Sequence, residues 1–300
     1  MNHSHDHHHA DFSKAFALGV ALNVVYIIVE AACGLAFNSL ALLADAGHNT
    51  SDVLGLILAW VAHYLARLPA SERRTYGWKG SSILAALFNA LILLIAVGGI
   101  VWEAIQRLID PVKVGGMTVI WVAAVGVVIN TLTALLFFAG RKHDLNIKGA
   151  FLHMAADAAV SVGVVIAGMV IYFSDAYWVD PLTSLLVAAV ILIGTWGLLK
   201  DSANLAMQGV PREIDLPEVR EYLNQLPGVE GVHDIHIWAM STTEVALTAH
   251  LIRPGLQDND ELLAEISREL HDRFGIEHVT VQIERDLEAV ACRQVPHGMS

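Results

Sequence analysis

Two His-x-x-x-Asp pairs stand inside apolar stretches of this sequence: His48 with Asp52, and His153 with Asp157. On an α-helix, residues four apart differ by about 40° in rotation and about 6 Å in rise, so each pair presents an imidazole and a carboxylate on one face. Two such faces brought together supply two nitrogen and two oxygen ligands, which suit tetrahedral zinc. Cobalt, nickel, iron and cadmium are competing ions, because ligand type selects only incompletely among them.

The elements that position these pairs are predicted to be membrane helices. Hydrophobic residues make up 55% of the chain and charged residues only 16%, whereas soluble domains have nearer to about 25% charged residues. Six apolar segments are each long enough to cross a hydrocarbon core of about 30 Å, which takes about 20 residues. They span residues 13–36, 39–66, 81–108, 116–140, 147–173 and 178–199. The net charge of −12 argues against nucleic acid as a partner.

Lys and Arg concentrate near the second and fourth breaks between these segments, which predicts that those breaks and both termini are cytoplasmic. They are Arg67, Arg73, Arg74, Lys79, Arg141, Lys142 and Lys148. In this orientation the first His-Asp pair lies roughly 13–20 Å below the outer surface, at 1.5 Å per residue. The second pair lies roughly 9–15 Å above the inner surface. In a core of about 30 Å the two ranges overlap, so both pairs are predicted at mid-membrane.

An ionisable group at the centre of a membrane costs about 2.5–3.5 kcal/mol on insertion scales. One interpretation is that each His only hydrogen-bonds to the Asp of its own helix. Two matched pairs at one depth favour a shared cation site instead. Four protein ligands would close the coordination shell, whereas a catalytic zinc keeps a position open for water. The sequence therefore favours a transported ion over a catalyst.

Proton exchange is the expected driving force, because metal binding displaces protons held by the empty site. His48 and His153 are the expected carriers, since imidazole titrates near physiological pH. Asp45 lies three residues before His48, where it either lines an exit path or acts as a cap or hydrogen-bond partner. Polar residues elsewhere in the segments are assigned mainly to packing between helices. They include Asn23, Glu30, Asn89 and Asn130.

From about residue 210 onward the charge density rises and the pattern changes. Helices are predicted over 216–226 and 261–274, and strands over 232–240, 244–252 and 278–284. This order predicts a small α+β domain with helices on one face of the sheet. We therefore divide the chain into a His-rich tail, a six-helix transmembrane domain, an α+β domain and a C-terminal tail. Their predicted bounds are residues 1–11, 12–208, 209–286 and 287–300.

Several motifs in order resemble the signatures of the zinc subgroup of the cation diffusion facilitator family. They are the run from Ser39 to Asp52, Arg74-Thr-Tyr-Gly-Trp78, His153-x-x-x-Asp157, Trp178-Val-Asp-Pro181 and Gly231-Val-His-Asp-Ile-His-Ile-Trp238. The resemblance covers about residues 12–285 and implies six membrane helices, cytoplasmic termini and a homodimer. It also implies proton-coupled export of divalent metal, as in bacterial inner-membrane zinc exporters, with the four His and Asp residues as the transport site.

The resemblance further implies that the C-terminal domain folds like a metallochaperone and binds zinc at a dimer interface. It places the ligands at His233, His250 and Glu284. From the residues alone, these three fall on different predicted strands and could converge, or could be ordinary surface residues. His236, His271 and His278 are alternatives.

Departures from the family pattern leave the number of cytoplasmic metals open. Gln282 stands where some relatives have His, and a single Cys292 stands where others end in paired cysteines. Arg73, Arg74 and Trp78 replace the His residues that a surface metal site between the second and third helices would need, so no such site is predicted there. The His-rich N-terminus is predicted to collect metal, unless it is a solvated tail or a purification tag.

The sequence thus predicts a dimeric zinc/proton antiporter of a bacterial inner membrane, serving metal resistance or homeostasis. Two other classes stay open at this point. One is an intramembrane metal-dependent hydrolase, against which the closed ligand shell argues. The other is a metal sensor whose working part is the C-terminal domain.

Overall fold

A computed structural model of the chain describes residues 9–138, 145–254 and 259–285. Its elements, in chain order, are the helices α1 (His9–Ala36), α2 (Leu40–Ala66), α3 (Ser81–Ile109), α4 (Gly116–Phe138), α5 (Leu145–Ser174), α6 (Val179–Ala206) and α7 (Leu216–Asn224), the strands β1 (Gly231–Ala239) and β2 (Val245–Ile252), the helix α8 (Asp260–Phe274) and the strand β3 (His278–Glu284). The predictions for the N-terminal His tract before residue 9 and for Cys292 fall outside the described residues.

The six long helices confirm the predicted apolar segments, and α6 continues beyond the predicted end at residue 199 to Ala206. Within the described residues, four of them, α3 to α6, are long and apolar enough to cross a membrane. Their outer faces carry large apolar side chains such as Ile95, Phe173 and Ile193, which are 75–81% exposed. Such a surface suits contact with lipid tails rather than with water.

The described residues fall into two compact units, one within residues 9–57 and 89–196 and one within residues 58–88 and 197–285. The core of the first unit includes two clusters of buried side chains, one around Leu42, Val119 and Val164 and one around Ala44 and Ile191. Both clusters draw on α2, the helix that carries the first His-Asp pair.

Close packing of α4 against α5 depends on glycine at the contact. A Cβ added to Gly116 would lie 2.9 Å from the backbone nitrogen of Tyr172, and one on Gly168 would lie 3.1 Å from the backbone nitrogen of Ile120. Small residues at such positions let helix backbones approach each other in a membrane, where packing rather than water drives association. The contact holds α5, which carries the second His-Asp pair.

The α+β domain confirms the predicted order of elements, with boundaries that differ by at most two residues. Its sheet has the order β1-β2-β3, with β1 and β2 antiparallel and β2 and β3 parallel. The apolar faces of α7 and α8 pack with the sheet, and the core includes Val219, Leu223, Leu247, Ile266 and Leu270. One face of the sheet is therefore covered by helices, as the alternating pattern of its strands predicts.

Two candidate metal centres

The first centre brings together the side chains of His48 and Asp52 from α2 with those of His153 and Asp157 from α5, which we call the intramembrane cluster. One ligand atom from each residue lies within 4.8 Å of all the others. These helices are far apart in sequence, so the convergence is a property of the fold. It places the four predicted residues where a single ion could bind them all.

The shortest contacts in the intramembrane cluster cross from one helix to the other. The Nε2 atom of His48 lies 3.2 Å from Oδ1 of Asp157, and Nε2 of His153 lies 3.1 Å from Oδ2 of Asp52. Within each helix the corresponding distances are longer, at 3.8 Å and 3.6 Å. Each His is therefore not simply bonded to the Asp of its own helix, which was the alternative to a shared site.

Exposure differs across the intramembrane cluster. The side chain of Asp157 is 2% exposed and that of His48 is 21% exposed, whereas Asp52 and His153 are 35% and 43% exposed. One edge of the cluster is therefore closed by protein and the opposite edge is open. The Oδ2 atom of Asp157 is buried without a hydrogen-bond partner, a deficit that a bound cation would relieve.

The position of α2 depends on Asp180, a residue of the Trp178-Val-Asp-Pro181 motif at the start of α6. Its carboxylate accepts hydrogen bonds from the Oγ of Ser39 at 2.6 Å and from the backbone nitrogens of Leu40 and Ala41 at 2.7 Å and 3.3 Å. The first N–H groups of a helix lack partners within the helix and attract negative charge. Asp180 therefore anchors the start of the helix that carries His48.

Sequence reasoning gave Asp180 no role of its own. An isolated acidic residue can complete a helix terminus that is distant in the chain, and no local signal identifies which terminus it will meet. For Asp45, in contrast, the sequence leaves open a role as a cap or hydrogen-bond partner and a place on an exit path. It is fully buried and accepts a hydrogen bond from the Oγ of Ser161 at 3.1 Å, which supports the first role.

The second centre lies on the sheet and consists of His233 on β1, His250 on β2 and Glu284 on β3, which we call the cytoplasmic cluster. One ligand atom from each lies within 4.8 Å of the others. His233 and His250 are direct partners across the antiparallel ladder, and Glu284 pairs with Ile252 across the parallel one. The three residues predicted from the resemblance do converge.

The arrangement of the cytoplasmic cluster fits a cation. The Nδ1 atom of His250 lies 2.8 Å from Oε1 of Glu284. The Nε2 atom of His233 lies 3.2 Å from Oε2 of Glu284, yet neither of these two atoms has a hydrogen-bond partner of good geometry. Gln282, which stands where some relatives have His, instead donates to Oε1 of Glu284 at 2.9 Å.

A β-bulge brings in Asp234, which sequence reasoning missed. The register of β1 and β2 shifts between His233 and His236, and Asp234 has a φ of 49°. Its Oδ2 atom lies 3.7 Å from Nε2 of His250. In a regular strand, neighbours point to opposite faces, so Asp234 would have pointed away from His233. The adjacent pair of His and Asp was visible in the sequence, but the bulge was not.

The alternative ligands lie elsewhere. His236 contacts Asp234 at 3.0 Å with its side chain 64% exposed, and His271 contacts its neighbour Asp272 at 2.9 Å. The ring of His278 lies edge-on to the ring of Tyr76 at 5.4 Å.

No surface metal site was predicted in the connection between α2 and α3. There, the Arg74 guanidinium stacks over the Trp78 ring at 3.6 Å.

Sequence profiles of two families match this chain. The profile described as the cation efflux transmembrane domain matches residues 16–205, and that of the cation efflux protein cytoplasmic domain matches residues 211–286. The chain belongs to the cation efflux, or cation diffusion facilitator, family. It therefore combines a helical transmembrane domain with a cytoplasmic α+β domain, which confirms the fold class predicted from the sequence.

Relatives match over nearly the whole chain. It is 37% identical over 283 residues to the metal cation efflux system protein CzcD of Cupriavidus metallidurans, covering 94% of this chain and 89% of that one. It is 37% identical over 291 residues to the zinc transporter ZitB of Escherichia coli, covering 95% and 93%. It is 35% identical over 287 residues to the cadmium, cobalt and zinc/H(+)-K(+) antiporter of Bacillus subtilis, covering 94% and 92%.

Among solved structures, the metal-bound C-terminal domain of the CzcD transporter from Cupriavidus metallidurans is 39% identical, covering 24% of this chain and 99% of that one with a TM-score of 0.23. The family and these relatives are metal transporters and not enzymes. Membership therefore favours cation transport over the intramembrane hydrolase that the sequence alone left open.

Proposed function

We propose that this cation efflux protein exports zinc from the cytoplasm in exchange for protons, with the intramembrane cluster as the transport site. Cadmium, cobalt, nickel and iron are the further candidate substrates, since the same ligands bind them. The observation that carries the proposal is the convergence of two imidazoles and two carboxylates, within 4.8 Å of one another, from two separate helices. The names of the zinc-transporting relatives and of the H(+)-K(+) antiporter support zinc and proton coupling.

The exposure of the ligands suggests which state of the cycle the structure represents. Asp52 and His153 form the open edge of the cluster, and His48 and Asp157 form the closed edge. In the predicted topology, the open edge faces the cytoplasm, because α2 runs inward and α5 runs outward. An inward-open cluster is the state that loads zinc.

Unloading then requires α2 and α5 to move relative to each other, because each helix contributes two of the four ligands. Zinc binds neutral imidazole, so loading displaces protons from His48 and His153, and protons from outside displace zinc in the outward-facing state. This movement must break the side-chain contacts of His48 with Asp157 and of His153 with Asp52. Asp45 lies one helical turn beyond His48, but its burial and its bond to Ser161 favour a hydrogen-bonding role over a place on the outward path.

The cytoplasmic cluster is proposed to hold a resident zinc rather than the transported one, with Asp234 as an additional carboxylate beside His250. The protein is further proposed to act as a homodimer in a bacterial inner membrane, with both termini in the cytoplasm. We propose a transmembrane domain over residues 12–208 and a cytoplasmic domain over residues 209–286, with tails at residues 1–11 and 287–300. Metal resistance or zinc homeostasis is the expected physiological role.

Zinc flux into proteoliposomes tests this function. We compare the wild type with Asp157→Ala and with the control Asp110→Ala, which removes an exposed carboxylate between α3 and α4. An imposed pH difference should accelerate zinc flux in the wild type and the control, and Asp157→Ala should lose nearly all of it. Undiminished flux in Asp157→Ala, or wild-type flux that is insensitive to collapse of the pH difference, would contradict the proposal.

A further inference from the structure

The two oxygens of the Glu284 carboxylate have different surroundings in the cytoplasmic cluster. The Oε1 atom lies 2.8 Å from Nδ1 of His250 and accepts a hydrogen bond from Nε2 of Gln282 at 2.9 Å. The Oε2 atom is buried without a hydrogen-bond partner and lies 3.2 Å from Nε2 of His233. The protein therefore holds one oxygen of this carboxylate and leaves the other without a donor.

The surroundings of the second oxygen fit a cation. The Nε2 atom of His233 is also buried without a hydrogen-bond partner, although Oε2 of Glu284 is only 3.2 Å away. Because Glu284 is only 4% exposed, bulk solvent does little to compensate these two atoms. A cation bound by the imidazole nitrogen and the carboxylate oxygen would satisfy both at once.

The strand β3 places Gln282 next to this carboxylate. Residues two apart on a strand point to the same face of the sheet, so the side chains of Gln282 and Glu284 lie side by side. Gln282 is also the direct partner of His250 across the parallel ladder. Its side chain is exposed, so packing in the core does not explain where the amide lies. The contribution of this amide is its hydrogen bond to Glu284.

The nitrogen of the Gln282 amide acts on the carboxylate and not on a metal. An amide NH₂ group donates hydrogen bonds and offers no lone pair to a cation. With Oε1 held by Gln282 and His250, Glu284 supplies one ligand oxygen, and each imidazole supplies one nitrogen. Ligand atoms from the three residues of the cluster lie within 4.8 Å of one another. This set matches one ion, and Glu284 has no second oxygen left for another.

We propose that Gln282 is a positioning residue that restricts Glu284 to one ligand oxygen, so that the cytoplasmic cluster binds a single cation in each protomer. This inference rests on the proposed role of the cluster as a resident zinc site, and it sets the number of cytoplasmic metals that the sequence left open. Without the amide, Oε1 loses one of its two partners, and both carboxylate oxygens can turn towards the ion.

Counting bound zinc tests the number of ions. The full-length wild type and the double variant His233→Ala/His250→Ala are equilibrated with zinc that is buffered by a chromophoric chelator, and the zinc bound per protomer is measured. Because the two proteins share every other site, the difference between them reports the cytoplasmic cluster alone. The double variant should bind about one zinc ion fewer per protomer, and a difference of about two ions would overturn the proposal.

Substitution of Gln282 tests its positioning role. Gln282→Leu removes the amide and should weaken zinc binding at the cytoplasmic cluster about tenfold, as loss of a group that orients a ligand generally does. Thr280→Leu is the matched control, because Thr280 is exposed on the same strand and points to the same face of the sheet. It should bind zinc like the wild type. Equal affinity in Gln282→Leu and the wild type would reduce Gln282 to a surface residue.

Cobalt(II) absorption gives a readout that a general loss of stability would not produce. Cobalt(II) binds the same nitrogen and oxygen ligands as zinc, and its visible absorption weakens as its coordination number rises. In difference spectra against the double variant, Gln282→Leu should absorb more weakly per bound cobalt than the wild type, since Glu284 then binds through both oxygens. Thr280→Leu should match the wild type. An unchanged spectrum in Gln282→Leu would show that the amide does not restrict Glu284.

The outcomes separate this inference from the proposed function. If the double variant binds as much zinc as the wild type, the cytoplasmic cluster holds no resident ion and both proposals for that cluster fail. If the double variant binds about one ion fewer but Gln282→Leu keeps wild-type affinity and spectrum, only the role of Gln282 fails. The zinc count does not require Gln282→Leu to fold. Zinc transport through the intramembrane cluster is decided by the flux of Asp157→Ala and by none of these variants.

Discussion

The intramembrane and cytoplasmic clusters use the same kinds of ligand on different scaffolds. Two helices supply the four intramembrane ligands, and side-chain contacts of 3.1–3.2 Å join the helices there. Three neighbouring strands supply the cytoplasmic ligands, and backbone hydrogen bonds of the sheet set their register. Helices can separate without breaking backbone hydrogen bonds, whereas strands of one sheet cannot. The scaffold therefore suits the first cluster to releasing an ion and the second to keeping one.

The contacts that hold the ligands of the two clusters in position also differ between a helix scaffold and a sheet scaffold. Asp180 holds the start of α2 from another helix through three hydrogen bonds. The cytoplasmic cluster is supported locally, by the bulge that turns Asp234 towards His250. A support at the end of a helix leaves the helix free to pivot about that end. A support inside the sheet leaves its cluster almost no freedom.

The largest expected contrast is between loss of a ligand from one cluster and from the other. His153→Ala should reduce zinc flux in proteoliposomes at least about 100-fold, because loss of a ligand costs more than the 10–100-fold known for groups that only support ligands. His250→Ala should retain flux within about tenfold of the wild type, since its cluster is proposed to hold a resident ion. Equal loss in the two variants would erase the distinction between a transit site and a resident site.

The next effect concerns the support of α2. Asp180→Ala leaves two backbone N–H groups and a hydroxyl without their charged acceptor, which should cost at least about 3 kcal/mol of stability. Thermal unfolding in detergent should show the loss, and zinc affinity should fall at the intramembrane cluster only. Asp180→Asn keeps an acceptor oxygen and should fall between Asp180→Ala and the wild type. Asp180→Ala with wild-type stability would show that the three hydrogen bonds do not position α2.

A smaller effect is expected at the bulge. Asp234→Ala should weaken zinc binding at the cytoplasmic cluster about tenfold, as loss of a group near a metal ligand generally does. The measurement is zinc-dependent thermal stabilisation of the full-length protein, with flux followed in parallel. His236→Ala, which removes the exposed partner of Asp234, should bind zinc like the wild type. If Asp234→Ala also bound zinc like the wild type, Asp234 would have no part in metal binding.

The smallest effect is expected at the ion pair between Lys79 and Glu244 in the second unit, which joins the start of α3 to the turn between β1 and β2. Both side chains are about one-third exposed, so the pair should contribute only about 0.2–1 kcal/mol. Lys79→Ala and Glu244→Ala should each lower stability by that amount, and high salt should remove the difference. A fall in flux beyond about twofold in Lys79→Ala, above what this energy explains, would indicate that the turn between β1 and β2 influences transport.

Much of the fold and of both sites could be predicted because the signals are local. The spacing of His48 and Asp52 on one helix, and of His153 and Asp157 on another, puts each pair on one face whatever the tertiary structure. The alternation of His278–Glu284 likewise predicts β3. The bulge at Asp234 and the contact of Ser161 with Asp45 could not be predicted, because backbone irregularities and contacts between helices leave no periodic mark in the sequence.

The sequence by itself determined the helices, the strands and the ligand types, because hydrophobic periodicity and spacing act over a few residues. Only the tertiary structure decided that the His-Asp contacts cross between α2 and α5, that Asp180 meets the start of α2, and that Ser161 on α5 donates to Asp45. Each of these contacts joins residues on different helices. Which helix faces meet depends on how all the helices pack together, and that is a property of the whole fold.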